Sequence, residues 1–350
     1  WFLHTAGHFV LQYLELDGTG YDVHQAIRST STGEMDNCAV RNIVYPPPVY
    51  AGIALAAFGA PGDWDVTNNT FDNIGRIGCL LFGTGLTGSS FVDNVYTGKG
   101  AGDWLDYACD ISAGAVVHVE GNTITNNLGV ASSDGSTSAG LLVSTYFAPG
   151  TTATIVDNAI TGNTSGIAVG YDAADVSVVS GSGNDFSGNV SYGVSNSAEN
   201  WVEFYNNWWG DSSGPLHPTN NPTGTGVLVD DFIYFEPWIG LSTVAVVPAA
   251  TGPIPCGTSV TLTFNLTTDD YTPDVFGYNA VVRAPMGVDF GAIASLDPFG
   301  GTTTFLKYDN FDNSWTISGT TTGLPSQPIT GAGTYGLFTI VFTPTVEGDH

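Results

Sequence analysis

The chain has very little positive charge: six Lys and Arg stand against 33 Asp and Glu in 350 residues, a formal net charge of −27. A field of that sign repels other polyanions, so nucleic acid held through phosphate contacts is excluded as a partner and anionic membrane surfaces are disfavoured. No apolar run approaches the roughly 18–20 residues of a membrane span, so no direct membrane insertion is expected of this segment. Long amphipathic stretches of period 3.6 are missing too, which excludes a helical solenoid, whose every unit needs two such helices. Cysteine is scarce, at four, and lacks the paired spacing of a zinc site. His4, His8, His24, His118, His217 and His350 are scattered without an i, i+4 pair, and read as structural. The chain opens at Trp1 without a Met and stops at His350 in a strand-like context, so it reads as part of something larger.

What is abundant is Gly, 46 residues of it, together with Asn, Thr and Ser around short β-branched runs. One phrase recurs: Asn, any residue, Ile or Phe, two or three polar positions, Asn again, then Gly with an apolar run. Copies begin at Asn69, Ser89, Asn122, Asn158 and Asn184, with a weaker copy at Cys38 to Asn42 and a ragged first one at Leu14 to Asp17. Repeats whose length varies by insertion while short strands persist suit a coil of strands. The expected fold is all-β, a right-handed parallel β-helix whose turns stack about 4.8 Å apart. Inward side chains should then form columns. Phe71, Phe91, Ile124, Ile160 and Phe186 are expected in one; Ile53, Cys79, Cys109, Leu141, Ile167 and Val194 in another. Each buried side chain contributes roughly 1.5–3 kcal/mol. Asn127, Asn163 and Asn189 are assigned to one bend, where the residue takes a left-handed backbone and its amide bonds the next Asn.

Cys79 and Cys109 share an inward slot on consecutive turns. A Cα separation of about 4.8 Å permits a disulfide, while side-by-side parallel strands strain one, so a bond and stacked free thiols both stay open.

The segment Asn206-Asn207-Trp208-Trp209-Gly210-Asp211-Ser212-Ser213-Gly214-Pro215 and the stretch to Trp238 resemble the terminal part of right-handed parallel β-helix repeat proteins of bacterial and archaeal surfaces. That resemblance implies the fold and secretion, within a family that spans lyases, hydrolases, adhesins and surface-layer components. Trp208 and Trp209 are read as a cap over the open coil end. After Pro248 the pattern changes to period 2, in Ser259 to Leu266, Tyr278 to Val282, Trp315 to Ser318 and Leu337 to Phe342. This order resembles the cohesin-type β-sandwich, a jelly-roll module whose family supplies protein attachment or spacing. The expected domains are 1–240, with the capping segment at 201–240, and 241–350, an antiparallel sandwich lacking its last strand.

Asp103, Asp106 and Asp110, with Trp104 beside them and long inserts at 95–107 and 128–139, are the candidates for a glycosidase carboxylate pair. An ordinary insert is the preferred reading, because no spacing there is diagnostic. A polyuronate lyase is disfavoured, since Arg28, Arg41, Arg76 and Lys99 are the coil's only Lys and Arg. No cofactor is required. Calcium is a candidate at Asp269, Asp270 and Asp274 or at Asp309 and Asp312, where loops carry two or three carboxylates. Asn68 and Asn265 are the better glycosylation acceptors among the Asn-x-Ser/Thr matches. The functional expectation is a non-catalytic extracellular structural or adhesive surface protein that assembles into a filament or surface layer, its partners being copies of itself, other surface proteins or glycans. The alternatives are a secreted polysaccharide hydrolase or lyase and a glycan-binding module, each with a cleft over residues 95–140.

Overall fold

The computed structural model describes residues 2–46, 52–58, 62–240, 243–248, 255–268, 277–283, 288–299, 303–309, 314–321, 328–330 and 332–345. It divides into two units, Trp1–Ile239 and Gly240–His350.

In the first unit the chain winds as a parallel coil, because turn residues interrupt it every three to six positions and each short run can satisfy its backbone only against the next turn. Sheet A stacks Phe2–His4, Gln25–Ser29, Ile53–Phe58, Ile77–Phe82, Tyr107–Ser112, Ala139–Ser144, Ser165–Val169 and Tyr192–Asn196. Sheet B runs from Phe9–Gln12 through Gly33–Asp36, Trp64–Thr67, Ser89–Val92, Val116–Glu120, Thr152–Val156 and Val178–Ser182 to Val202–Glu203 and Ile233–Tyr234. Sheet C holds Glu15–Asp17, Ala39–Arg41, Thr70–Asp72, Val95–Thr97, Thr123–Thr125 and Ala159–Thr161. All pairings within the three sheets are parallel.

The inward columns differ in two places from those expected of the sequence. Sheet C stacks Leu16, Val40, Phe71, Tyr96, Ile124 and Ile160 in register. Phe91 belongs instead to sheet B, between Val66 and Val119. The repeated phrase is misaligned at Ser89: Asn94-Val95-Tyr96 is the copy of Asn69-Thr70-Phe71, and a second inward aromatic five residues earlier imitates it. In sheet A the column is Ile27, Leu55, Cys79, Cys109, Leu141, Ile167 and Val194. Ile53 is not in it. It pairs with Ile77 and joins a separate apolar cluster on the outer face, because the strand bends after Ala54 and turns two consecutive residues inward.

That bend explains the small residues. Ala26, Ala54, Gly78, Ala108, Gly140, Gly166 and Gly193 occupy one line facing the sheet C column. A Cβ on Gly140 would lie 2.5 Å from Ile160 Cγ2, and one on Gly193 would lie 2.8 Å from the Trp209 ring.

Between sheets B and C runs a ladder of buried amides. Asn69, Asn94, Asn122, Asn158, Asn184 and Asn207 each stand inward, and each Oδ1 accepts from the backbone N–H of the corner residue one turn before, at 2.8–3.0 Å. The Nδ2 groups donate on to the next Oδ1 and to backbone carbonyls such as Val66 and Val119. Cys38 begins the ladder, its N–H donating to Asn69. A second ladder joins Asn127, Asn163 and Asn189, with Asn127 Nδ2 donating to Asn163 Oδ1 at 2.7 Å. None of these Asn residues has a left-handed backbone. The positive φ falls one residue earlier, at Asn68, Asp93, Gly121, Asp157, Gly183 and Asn206 in the first ladder and at Asn126, Gly162 and Gly188 in the second. Each corner thus needs two residue types in sequence: one that tolerates φ > 0, then an Asn whose amide replaces the interrupted strand ladder.

At the far end Trp209 continues the sheet C column, fully buried with its ring 5.0 Å from Phe186, and Trp208 is half-buried beside it. Trp238 packs on Gly214 and donates from Nε1 to Ser212 O. Cys79 and Cys109 are opposed Cα partners, and both are free thiols buried in the core.

The second unit consists of antiparallel sheets. One orders Thr243–Pro248, Val260–Thr268, Gly333–Pro344 and Val288–Ser295; the other orders Gly277–Arg283, Ser314–Thr321 and Thr303–Asp309. They share a core in which Phe338 stacks on Phe264 at 4.6 Å and on Tyr278 at 5.8 Å, with Ile317 and Ile340 fully buried. The chain is therefore all-β, a parallel solenoid followed by antiparallel sheets.

The amide ladder makes a specific demand on stability. Asn158 holds Asn122 from below and reaches Asn184, Val119 and Val156. Asn158→Leu fills the space and strands those partners, so it should lower unfolding free energy by about 2–4 kcal/mol. Asp185→Asn nearby on the surface should change it by less than about 0.5 kcal/mol. Urea unfolding of the full chain, followed by Trp fluorescence, measures both.

Candidate functional site

Asp103 and Asp106, in the insert between sheets C and A at residues 98–106, and Asp110, on the strand Tyr107–Ser112 that follows, have quite different environments. Asp106 is fully buried. It accepts hydrogen bonds from the Tyr96 hydroxyl and, at 2.8 Å, from the Lys99 backbone N–H. Burial pushes its carboxyl up to about 6, although these hydrogen bonds and the Lys99 charge favour the ionised form. Lys99 lies 4.7 Å over the Trp104 ring and donates to Gly75 O; burial brings its amine down to about 8. Trp104 is turned inward to this cation and to Gly100 O, so it is not a free sugar platform.

Asp103 is exposed and staples the two inserts, accepting from the backbone N–H and the hydroxyl of Ser132, each at 2.7 Å. Those bonds hold its carboxyl below the usual carboxylate range. Asp110 stands on the outer face of sheet A, half-buried, and accepts from the Ser112 hydroxyl. Burial raises it to about 6, against the Ser112 hydrogen bond and the charge of Arg76. Of the three candidate carboxylates, Asp106 is an internal clip and Asp103 a loop staple, and Asp110 stands half-buried on the outer strand face.

That face has a composition the sequence reading passed over. Its central line, in register, is Arg28, Ala56, Leu80, Asp110, Leu142, Ala168 and Ser195. On one side the inserts contribute Leu105 and Ala131, which pack on Ile77, Tyr107 and Ala139. On the other, aromatic rings form a continuous line. Phe58 touches Phe82 at 5.5 Å, Phe82 touches Phe147 at 5.2 Å, and Tyr146 meets Phe147 and Tyr171 edge-on, each at 4.9 Å. Arg28 covers the Phe58 ring at 4.1 Å. Tyr146, Phe147 and Tyr171 are 62%, 68% and 42% exposed, a large apolar surface to leave in water.

Asp175 holds this aromatic edge in place. Its buried carboxylate accepts from Ser144 Oγ, Thr145 N, Ser177 N and Ser177 Oγ at 2.6–3.1 Å, joining the loops that carry Tyr146 and Tyr171. Burial opposes the charge, but the hydrogen bonds outweigh it and keep the carboxyl below its ordinary value. The sequence does carry a signal for part of the edge: Ile53–Phe58 and Ile77–Phe82 each end in Phe, the repeat of an outward aromatic in one strand position. Tyr146, Phe147 and Tyr171 lie in loops, where no period marks them.

The other candidate residues are placed apart from this face or beyond description. Asp269, Asp270, Asp274 and Asp312 lie outside the described residues, as does the side chain of Asp309. Among the described residues no three His, Cys, Asp or Glu side chains converge as a metal cage. Asn68 is exposed at a left-handed corner and donates to Asp36, while Asn265 lies in a strand paired on both sides. A hollow of about 770 Å³ at the first turn is lined by Phe2, Tyr21, His24 and Arg28 among others.

No family model matches the chain, and no curated protein matches its sequence. Among solved structures it is similar to a point mutant of the tailspike protein of E. coli bacteriophage HK620 in complex with a pentasaccharide, with a TM-score of 0.31 and 10% identity over 95% of this chain and 74% of that one. It is also similar to the tailspike protein gp49 from Pseudomonas phage LKA1, with a TM-score of 0.22 and 9% identity over 97% of this chain and 68% of that one. Likeness at this level says nothing about what this chain binds.

The raised carboxyl of Asp110 has a measurable sign. Between about pH 4 and its folded value of about 6 the folded protein keeps a proton that the unfolded chain has lost. Its contribution to stability is complete below about pH 4 and is lost as pH rises through about 6. Asp110→Asn should remove on the order of 1–2 kcal/mol of the stability change between about pH 4 and about pH 6, leaving the part due to Asp106. Urea midpoints collected across this range test it; an unchanged slope would mean that Asp110 titrates normally.

Proposed function

We propose that this protein is a non-catalytic, extracellular adhesive scaffold that holds a glycan chain along the outer face of sheet A. The observation that carries the reading is the aromatic line from Phe58 through Phe82, Phe147 and Tyr146 to Tyr171, which spans several turns beside an apolar floor. Aromatic faces take the C–H side of a sugar ring, and a stiff array of them presents a repeating ligand with repeated contacts at small entropic cost. Asp110, half-buried on the central line beside the rings, is the hydrogen-bonding group of this face, its carboxylate held by the Ser112 hydroxyl. The acidic surface favours a neutral glycan over a polyuronate.

Absence of turnover is supported by the carboxylates themselves. Hydrolysis of a glycoside takes an acid and a second carboxylate about 5–10 Å away; Asp106 is internal and Asp103 is committed to Ser132. A hydrolase is the second reading, favoured by one observation: Asp110 is raised to about 6, the condition for a general acid near neutral pH. The antiparallel unit is proposed as a cohesin-like attachment or spacer module, a reading supported by its two sheets around one core. Assembly with other copies is part of the same proposal.

Binding to a panel of immobilised neutral and acidic polysaccharides tests this. A neutral polymer should be retained, and Phe147→Ala or Tyr171→Ala should weaken retention at least about tenfold without moving the melting temperature. Retention of no polysaccharide, or equal retention by the variants, overturns the reading. Reducing ends that appear with the wild type and vanish with Asp110→Asn would put the hydrolase in its place. Sedimentation of the same samples reads assembly, and a monomer at every concentration would remove that part.

A further inference from the structure

On another sheet of the coil, near its last turns, sheet B carries a second arrangement that the first site does not use. Its outer line there is Thr154, Ser180, Glu203 and Tyr234 in register, and Val156 and Ser182 form the adjacent line, with Tyr205 two residues beyond Glu203. Thr154, Val156, Ser180, Ser182, Glu203, Tyr205 and Asn206 line an open depression of about 250 Å³, with Tyr234 beside it. Beside it three rings stack along the strand direction. Trp201 lies 4.4 Å from Tyr234 at an interplanar angle of 21°, and Tyr205 lies 6.2 Å from the other side at 22°. Trp201 is 51% and Tyr234 43% exposed.

The hydroxyls and the carboxylate here are not hydrogen-bonded to one another, in contrast to the outward groups of the same sheet one to three turns earlier. There the outward groups satisfy one another: Ser90 donates to Asp65 at 2.6 Å, and His118 meets Glu120 at 2.7 Å. Among the described residues, the side chains of Thr154, Ser180, Ser182 and Glu203 make no such bond. Three hydroxyls and a carboxylate are thus left facing one small concavity with an aromatic wall.

We propose that this depression is a binding site for a single neutral sugar residue, the end or a branch of a glycan, separate from the face of sheet A. A pyranose offers both halves of what the site requires. Vicinal hydroxyls donate in pairs to the Glu203 carboxylate and exchange hydrogen bonds with Ser180, Ser182 and Thr154, while the C–H face lies on Tyr205. The volume is below the range of oligosaccharide-sized pockets, which limits the occupant to one ring. Glu203 repels a uronate or other acidic sugar. The rings stack on each other and do not surround a point, so the site is not a cage for a quaternary ammonium.

Titration of the full chain with methyl glycosides of glucose, galactose, mannose and N-acetylglucosamine, and with glucuronate, tests the site through Trp fluorescence and protein-observed NMR shifts. At least one neutral glycoside should saturate the signal in the millimolar range. Tyr205→Ala and Glu203→Gln should each weaken it about tenfold or more, and the milder Ser182→Ala severalfold, with unchanged melting. Phe147→Ala, on the other face, should leave it as it is, so this result and that of the sheet A groove can fail independently. The proposal is overturned if no neutral glycoside shifts the signal, if stably folded Tyr205→Ala and Glu203→Gln bind as the wild type does, or if glucuronate binds equally.

Discussion

Parallel pairing of each turn with the next governs this coil. A short run of three to six residues cannot satisfy its backbone alone, and in a solenoid the only partner for its N–H and C=O groups is the equivalent run one turn away. In-register pairing then forces like positions over like, so columns of Ile, Leu, Val and Phe form without further specification. The corners are where this scheme would fail, because the strand ladder is interrupted there. The two Asn ladders repair it: a side-chain amide has a donor and an acceptor spaced like a peptide group, so it continues hydrogen bonding through the bend. The ladder from Asn69 to Asn207 is buried throughout, where an unpaired amide would be costly.

The two candidate faces use what the ladders leave free. Inward positions are committed to packing, and corner positions to amides or to left-handed residues. The outward positions of the sheets and the inserts between them are the only places where the sequence can vary without undoing the stack. On sheet A those positions gather aromatic rings across several turns, and on sheet B they gather hydroxyls, Glu203 and a second set of rings. The aspartates divide in the same way. Asp106 and Asp175 have been drawn into the fold as buried acceptors, whereas Asp110 and Glu203 face outward.

Much of the architecture was legible from the chain. Short β-branched runs between Gly and Asn, a phrase of variable period, and the change to alternation after Pro248 are sufficient for a parallel coil followed by antiparallel sheets. What misled was local degeneracy. Phe91 and Tyr96 are both inward aromatics followed or preceded by Asn, and only pairing partners distinguish them: Phe91 lies against Val66 and Val119, Tyr96 against Phe71 and Ile124. Ile53 falls outside the expected column because Gly52, which resembles Gly78 in sequence, is a turn residue, and Ala54 is the residue opposite Gly78. The left-handed position was set one residue late, since Asn occurs at both corner positions and the pattern cannot say which copy bends and which bonds.

The candidate site was less legible than the fold, for a physical reason. Stacking is periodic, and periodic order leaves a trace in one dimension. A binding face is assembled from single positions on different turns, dozens of residues apart, and has no period to betray it. Sequence alone therefore determined the fold class, the acidic surface, the corner ladder of Asn127, Asn163 and Asn189, and the inward slot of Cys79 and Cys109; the longer ladder from Asn69 to Asn207 came from the structure. Only the tertiary structure decided that Asp106 is sealed against Tyr96 while Asp110 is half-buried on the outer face, and that Phe82, Phe147 and Tyr171 form one edge, because burial and adjacency between turns depend on the lengths of the inserts.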